Sequence, residues 1–245
     1  MSQQKPKDKS LDLKSVLVVS PMGSTVPKTL YENLKSSFSN LVFVFQHFGL
    51  TEMFQAALVT IDITKLGFVA PDIEIKIVDP DTGELLGPDQ IGEIMIKTLA
   101  PMKGYLNRPE ETKKFFAKDG FIHTGDLASY AKNGMLKYEG RLKELIKYKN
   151  HHLYPLEIEN VICTHPNVIE AAVFGRPEPT VQELVSAVVV KAPNTNVTEQ
   201  DIVDLVASQV EDAKKLRGGV IFVKSLPKNP VGKIQRKKLI ELNWK

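Results

Sequence analysis

The side chains most able to do chemistry in this chain fall at five points. Thr51-Glu52 follows Phe48-Gly49-Leu50, and Asp126 follows Thr124-Gly125. Arg141-Leu142-Lys143-Glu144-Leu145-Ile146-Lys147 follows Gly140, Glu157 and Glu159 follow Tyr154-Pro155, and Lys233 follows Pro230-Val231-Gly232. By type, carboxylates offer hard oxygens to a cation or acceptors to a hydroxyl, and lysine or arginine offers positive charge to an anion. Taken singly, each has a plainer reading. Thr51-Glu52 reads as a helix cap, Asp126 as a turn aspartate, and Lys233 and the run Lys143, Lys147, Lys149 as solvated surface lysines. Their joint occurrence in one order asks for more.

The elements that must hold these residues differ along the chain. Val16 to Val19 is a short β-like run, and Pro27 opens a helix with Leu30, Leu34 and Phe38 at spacings of four. Leu41 to Phe45 reads as a β-branched and aromatic strand that empties into a loop from Gln46 to Glu52. Between Ile73 and Tyr138 the alternation of Ile73, Ile75 and Ile77 and of Ile94 and Ile96 predicts strands. One helix interrupts them, with Asn107 as cap and Pro109 early, and Thr124-Gly125-Asp126 lies on a later strand. From Leu142 the texture is mixed. Helices open at Pro155 and Thr198, strands run from Val168, Leu184 and Val220, and a Lys-rich helix starts at Lys233.

The fold class expected is α+β. Residues 1–10 read as a polar tail, 11–141 as a β-rich part, and 142–245 as a small α+β domain.

Composition removes several classes. With 245 residues, 42% hydrophobic and 25% charged, the chain is neither disordered nor fibrous. Net charge is +3, from 32 basic against 29 acidic side chains, too balanced to indicate nucleic acid or a membrane surface. Arg108, Arg141, Arg176, Arg217 and Arg236 are the only arginines, and arginine is the usual base and phosphate reader. The cluster Lys233, Arg236, Lys237, Lys238 is the one local feature favouring nucleic acid, and a solvated helix face explains it better. The single cysteine, Cys163, excludes an internal disulfide framework and lies at a core spacing. His151 and His152 are adjacent in a strand and point opposite ways, which argues against a shared metal. No apolar run has the length of a membrane span or a signal segment. The default expectation is cytoplasmic, and the last residues carry no Ser-Lys-Leu address.

The ordered set Phe48-Gly49-Leu50-Thr51-Glu52, Thr124-Gly125-Asp126, Gly140 to Lys147, Tyr154 to Glu159 and Pro230 to Ile234 resembles the AMP-forming adenylating superfamily. Its nearest branch is the fatty acyl and coumarate-type CoA ligases with their beetle luciferase relatives. The resemblance implies conversion of a fatty or aryl carboxylic acid and MgATP to an acyl-adenylate, then transfer of the acyl group to coenzyme A. In-line attack on the α-phosphate gathers negative charge, so fixed donors and cations matter more than covalent chemistry. Carried over residue by residue, Phe48 stacks on adenine where the family usually has Tyr, and Gly49 accompanies it. Thr51 contacts the α-phosphate, and Glu52 holds Mg²⁺ as a hard oxygen ligand. Asp126 takes the ribose hydroxyls and Arg141 also holds the ribose. Lys233 bridges the carboxylate and the α-phosphate.

In that family the small domain swings between two orientations, which places Lys143 at the hinge and Leu145 to His152, with Lys147, facing the site for the thiol step. Asn150 stands where the family usually has Gly, and His152 where Gln or Arg is common. Asn tolerates a left-handed backbone, so the loop can persist.

The family's Ser/Thr/Gly-rich phosphate loop has no counterpart. Ser20 to Lys28 resembles it superficially, but Thr25 precedes Phe48 by only 23 residues (48 − 25). That spacing matches a different element bordering the adenine, of which only Gly23 is kept. The expectation is therefore a truncated member lacking that loop, with apolar surface between Val16 and Ile96 open to a protein partner. The alternative is an inactive remnant that binds nucleotide or a ligase partner.

Overall fold

The computed structural model describes residues 12–21, 28–53, 56–60, 67–230, 232–242 and 244. The polar tail, Pro27, Gly23 and Thr25 lie outside them. The chain divides into two compact units, Met1–Tyr138 and Glu139–Lys245.

The first unit begins with β1 (Val18–Val19), α1 (Lys28–Ser37) and β2 (Phe43–Val44), with β1 and β2 paired in parallel. Leu34 and Phe38 are half-buried among exposed neighbours at the expected spacing of four, Tyr31 is half-buried as well, and the side chain of Leu30 lies outside the described residues. The stretch Gln46–Gly49, expected as loop, is instead a strand, β3. It pairs antiparallel with β4 (Ala56–Thr60), which pairs with β5 (Phe68–Val69). His and Gly are weak strand formers, and here a partner supplied by the tertiary fold overrides local preference.

Next come β6 (Glu74–Val78), β7 (Gly92–Lys97), α2 (Pro109–Phe115), β8 (Ile122–Tyr130) and β9 (Leu136–Arg141). The four strands form one sheet in the order β6-β7-β8-β9. Ile77, Ile94, Ile96 and Ile122 fill its core together with Met53 and Leu58. Asn107 does not cap α2. The cap is Arg108, without a side-chain bond, while Asn107 turns through a left-handed φ of 56°. Pro109 disfavours helical backbone at Arg108, and Asn is a residue that accepts the left-handed turn before it.

Gly92 opens β7 where a Cβ would lie 2.3 Å from the Val78 carbonyl oxygen and 2.6 Å from Leu86. Gly92→Ala is expected to lower unfolding stability by roughly 1–3 kcal/mol through overpacking. Denaturant unfolding of the two proteins checks this, and an unchanged midpoint would refute the close packing.

The second unit contains β10 (Ile146–Tyr148), β11 (His151–Leu153), α3 (Pro155–Ile162), β12 (Val168–Glu178), β13 (Gln182–Lys191), α4 (Glu199–Gln209), β14 (Val220–Phe222) and α5 (Arg236–Ile240). Strand order is β11-β10-β13-β12, with β14 parallel to β13. Both faces of β12 and β13 are covered, which explains the unbroken apolar run in β13. Val173, Val185, Ala187 and Val189 join a core with Ile158, Ile162, Ile202 and Val206 of α3 and α4. Ala172, Phe174, Val188 and Val190 pack on the opposite side with Leu226, Leu239 and Trp244.

Thr198 and Asp201 form the capping box their spacing predicts. Cys163 is exposed rather than in the core, because α3 ends at Ile162 and the cysteine follows it as cap. Desolvation around its sulfur still pushes the thiol up to about 11, with the Glu159 charge adding to the shift. Among the described residues no helix is long and apolar enough to cross a membrane.

Candidate functional site

The residues singled out in the sequence fall into two groups, one in each unit. In the first, β3 carries Phe48 and Gly49, and a 3-10 turn, Thr51–Met53, follows directly. Met53 is fully buried and nails the turn to the core, leaving Thr51 exposed and Glu52 half-exposed. The Glu52 carbonyl accepts from the Met102 amide at 2.7 Å, so the turn is also tied to the loop before α2.

Asp126 owes its position to an irregularity in β8. His123 pairs with Met95 and Leu127 with Glu93, so Thr124, Gly125 and Asp126 stand opposite the single residue Ile94. Such a bulge re-aims side chains. Gly125 takes a left-handed φ of 67°, which a Cβ would strain. The Thr124 hydroxyl donates to the Ile94 carbonyl at 2.6 Å and accepts from the Asp126 amide at 3.0 Å. Glu93, 6% exposed, receives the Gly125 amide at 3.0 Å and lies 2.9 Å from His123 Nδ1.

Asp126 is itself buried, at 2% exposure, and its Oδ1 accepts from the Tyr138 hydroxyl at 3.2 Å. The ring of Tyr138 lies 6.3 Å from that of Phe48. Two residues distant in sequence, Phe48 and Asp126, are thus joined through Tyr138. Sequence reading missed Tyr138 and Glu93. Tyr138 lies within a short strand and Glu93 reads as the polar side of one, so neither type nor spacing marks them.

Tyr105 is a third omission. Its hydroxyl donates to Glu52 Oε1 at 2.8 Å, and its ring meets Phe115 edge-on at 5.7 Å. Desolvation first, then the bond and the charge of Glu52, push the Tyr105 phenol up to about 12. The folded value exceeds the ordinary value of 10.0, so this contact stabilises the fold fully below pH 10.0 and is lost as pH rises towards about 12. Glu52→Gln removes the like charge but not the desolvation. The Tyr105 titration is therefore expected to fall from about 12 while staying above 10.0, read from phenolate absorbance against a Tyr105→Phe control. An unmoved titration would show that Glu52 does not act on the phenol.

In the second unit, Arg141 is the cap of a 3-10 turn, Leu142–Glu144, that holds Lys143 exposed. Lys147 is exposed on β10, opposite His152, with its amide donating to Glu183 at 2.7 Å. His151 pairs instead with Tyr148. Among the described residues no group of three or more His, Cys, Asp or Glu side chains could hold a metal. The left-handed residue of the β10–β11 turn is Lys149, at φ 52°, and not Asn150. The Lys149 amide is drawn to the Val181 carbonyl at 3.0 Å, which sets the turn one residue earlier than Asn150 suggests.

Lys233 lies on a loop closed by backbone bonds. The Asn229 amide donates to the Lys233 carbonyl at 2.9 Å, and the Gly232 amide to the Asn229 carbonyl at 2.9 Å. The Lys233 amide donates to Asn229 Oδ1 at 2.9 Å, and Gly232 supplies a φ of 86°. The side chain of Lys233 is exposed and makes no ion pair among the described residues. α5 begins at Arg236, three residues later than expected, because the loop and not a helix holds Lys233. Arg236 is drawn inwards to Glu144 and Glu159, which takes it out of the Lys-rich cluster that suggested nucleic acid.

In the first unit a buried carboxylate stands beside an aromatic pair, a set suited to a nucleoside, and a hydroxyl–carboxylate turn directly follows the strand that carries Phe48. In the second unit a loop carries an exposed lysine, a side chain suited to an anion. Two family models match: "AMP-binding enzyme" over residues 1–106, and "AMP-binding enzyme C-terminal domain" over residues 157–233. The chain belongs to the AMP-binding enzyme family. The chain is 40% identical over 235 residues to luciferin 4-monooxygenase of Photinus pyralis, covering 94% of this chain and 42% of that protein. It is 36% identical over 240 residues to 4-coumarate–CoA ligase-like 9 of Arabidopsis thaliana, covering 96% of this chain and 42% of the relative. Among solved structures, ATP-bound MatB from Rhodopseudomonas palustris superposes with a TM-score of 0.83 at 28% identity, covering 94% of this chain and 51% of that one. The chain thus spans less than half the length of the two curated relatives. The mixed α+β architecture is that of the C-terminal portion of the adenylating fold.

Proposed function

We propose that this chain carries the adenylate-handling and acyl-transfer part of an AMP-forming acid–thiol ligase, acting on a fatty or aryl carboxylic acid, ATP and coenzyme A. The observation that carries the reading is the cluster Phe48–Tyr138–Asp126, in which a buried carboxylate is set beside two aromatic rings. Adenine stacks on Phe48 where Tyr138 backs it, and Asp126 accepts the ribose hydroxyls. A carboxylate oxygen has room for more than one donor, so the Tyr138 bond does not exclude a ribose. Arg141 adds charge at the ribose. Thr51, exposed on its turn, donates to the α-phosphate.

Glu52 fits Mg²⁺, since that ion is commonly held by one or two carboxylates together with substrate phosphates. Tyr105 fixes one Glu52 oxygen and so orients the carboxylate. When bound, the ion supplies charge neutralisation at the phosphates. Lys233 brings an exposed ammonium, without an ion pair among the described residues, to the carboxylate and α-phosphate, where charge develops during attack. In this reading residues 11–141 serve as the end of the large adenylating domain and 142–245 as the small domain, with Lys143 as hinge and Lys147 on the face used for thiol transfer.

Acid-dependent exchange of labelled pyrophosphate into ATP by the purified chain, over a panel of fatty and aromatic acids, tests the proposal. Exchange names the preferred acid. Silence from a cooperatively folded sample, beside an active longer relative, overturns unaided adenylation, and AMP binding by that sample would favour the nucleotide-binding alternative.

A further inference from the structure

We propose that Arg236 is a positioning residue that anchors the Lys233 loop to the turn carrying Lys143, an inference that rests on the adenylation role given to Lys233. Its guanidinium is engaged on three sides. Nε donates to Glu144 Oε2 at 2.9 Å, Nη1 to Glu159 Oε1 at 2.7 Å and to the Val173 carbonyl at 3.4 Å, and Nη2 to Glu159 Oε2 at 3.4 Å. The second Glu159 task is the Val173 amide, which donates to Oε1 at 2.8 Å. Together Glu159 and Arg236 occupy the donor and acceptor of Val173 on the edge of β12, as a neighbouring strand would.

The consequence for Lys233 follows from chain connectivity. Both ends of its loop are fastened to β12. Lys228 pairs with Glu170 at 2.6 Å on the entering side, and Arg236 grips Glu159 and Val173 on the leaving side. Between these anchors the Gln235 amide reaches the Pro227 carbonyl at 2.8 Å and closes the base of the loop. Glu144 is the last residue of the turn Leu142–Glu144, directly after Lys143. One guanidinium therefore fixes the lysine of the first half-reaction and the hinge lysine to a common frame.

Only arginine suits this position. Its planar fork carries five donors and spans a carboxylate, a carbonyl and a second carboxylate, while a lysine offers a compact point charge. The side chains are well enclosed, at 19% exposure for Arg236 and 10% for Glu159, so loss of the Arg236 charge would leave the Glu159 carboxylate uncompensated. Glu144 is the gentler probe, because replacing it leaves the Arg236–Glu159 pair intact.

The test uses the full chain with Arg236→Lys and Glu144→Gln, reading amide hydrogen exchange and pyrophosphate exchange in parallel. The amides of Asn229, Gly232 and Lys233 are expected to exchange about tenfold faster in Arg236→Lys and several-fold faster in Glu144→Gln, with β12–β13 protection unchanged. The exchange kcat is expected to fall by about tenfold or more in Arg236→Lys, with KM for ATP within about twofold, as for a misplaced rather than missing catalytic group. If Arg236→Lys does not fold, Glu144→Gln decides. Unchanged loop protection in Glu144→Gln overturns the proposal, as does a uniform loss of protection through β12 and β13. Silence from the unsubstituted chain in pyrophosphate exchange overturns the adenylation reading alone, and loop protection then still decides the anchor.

Discussion

Lys233→Ala is expected to reduce acid-dependent pyrophosphate exchange by about 10²–10³-fold, the usual cost of removing one donor from developing transition-state charge. Stability should stay within about 0.5 kcal/mol, because the truncated atoms are exposed. The bonds that shape the loop involve the Lys233 backbone and Asn229, which alanine preserves. A large rate loss with an unchanged melting curve is thus the signature of a side chain used in the chemistry. Persistence of exchange in the variant would withdraw that role, and a lowered melting temperature would point to a structural one. Because the effect falls on charge formed during attack, it should appear chiefly in kcat.

Asp126→Ala should weaken AMP and ATP binding by about 10–100-fold, since hydrogen bonds to a charged acceptor contribute about 1.5–3 kcal/mol each. The same change strips the Tyr138 hydroxyl of an acceptor, so some stability is lost as well, and binding must be measured well below the melting transition. Tyr138→Phe separates the two effects. It removes the 3.2 Å bond to Asp126 while keeping the ring that faces Phe48, and nucleotide affinity should fall only about fivefold or less. Calorimetric titration with AMP checks both variants. Equal losses would show that Asp126 acts only as the partner of Tyr138.

Local structure is legible in the sequence as far as neighbouring residues decide it. The settings of Thr51-Glu52, Asp126 and Lys233 are local ones, a turn after a strand, a glycine at a bulge and a Gly-Lys loop, and it is these settings, not the roles proposed for the residues, that short stretches of sequence carry. The helices from Pro155 and Thr198 were legible for the same reason, since capping and helical spacing act within a few residues. Asn107 and Asn150 misled because their residue type permits a cap or a left-handed turn without requiring it. The proline at 109 and the Val181 carbonyl decided those positions.

Sequence alone determined the family resemblance, the α+β class and the residues around which a nucleotide site is proposed, because these rest on residue type and short spacings. Tertiary structure alone decided that Gln46–Gly49 is a strand, that Tyr138 joins Phe48 to Asp126, that Tyr105 holds Glu52, and that Arg236 leaves the basic cluster for a buried ion pair. The strand Gln46–Gly49 depends on the segment that follows it, Ala56–Thr60, and the other three depend on partners between 12 and 92 residues away along the chain. Strand pairing and buried polar bonding are set by which groups the whole fold brings within reach, and that reach is not written in any local stretch.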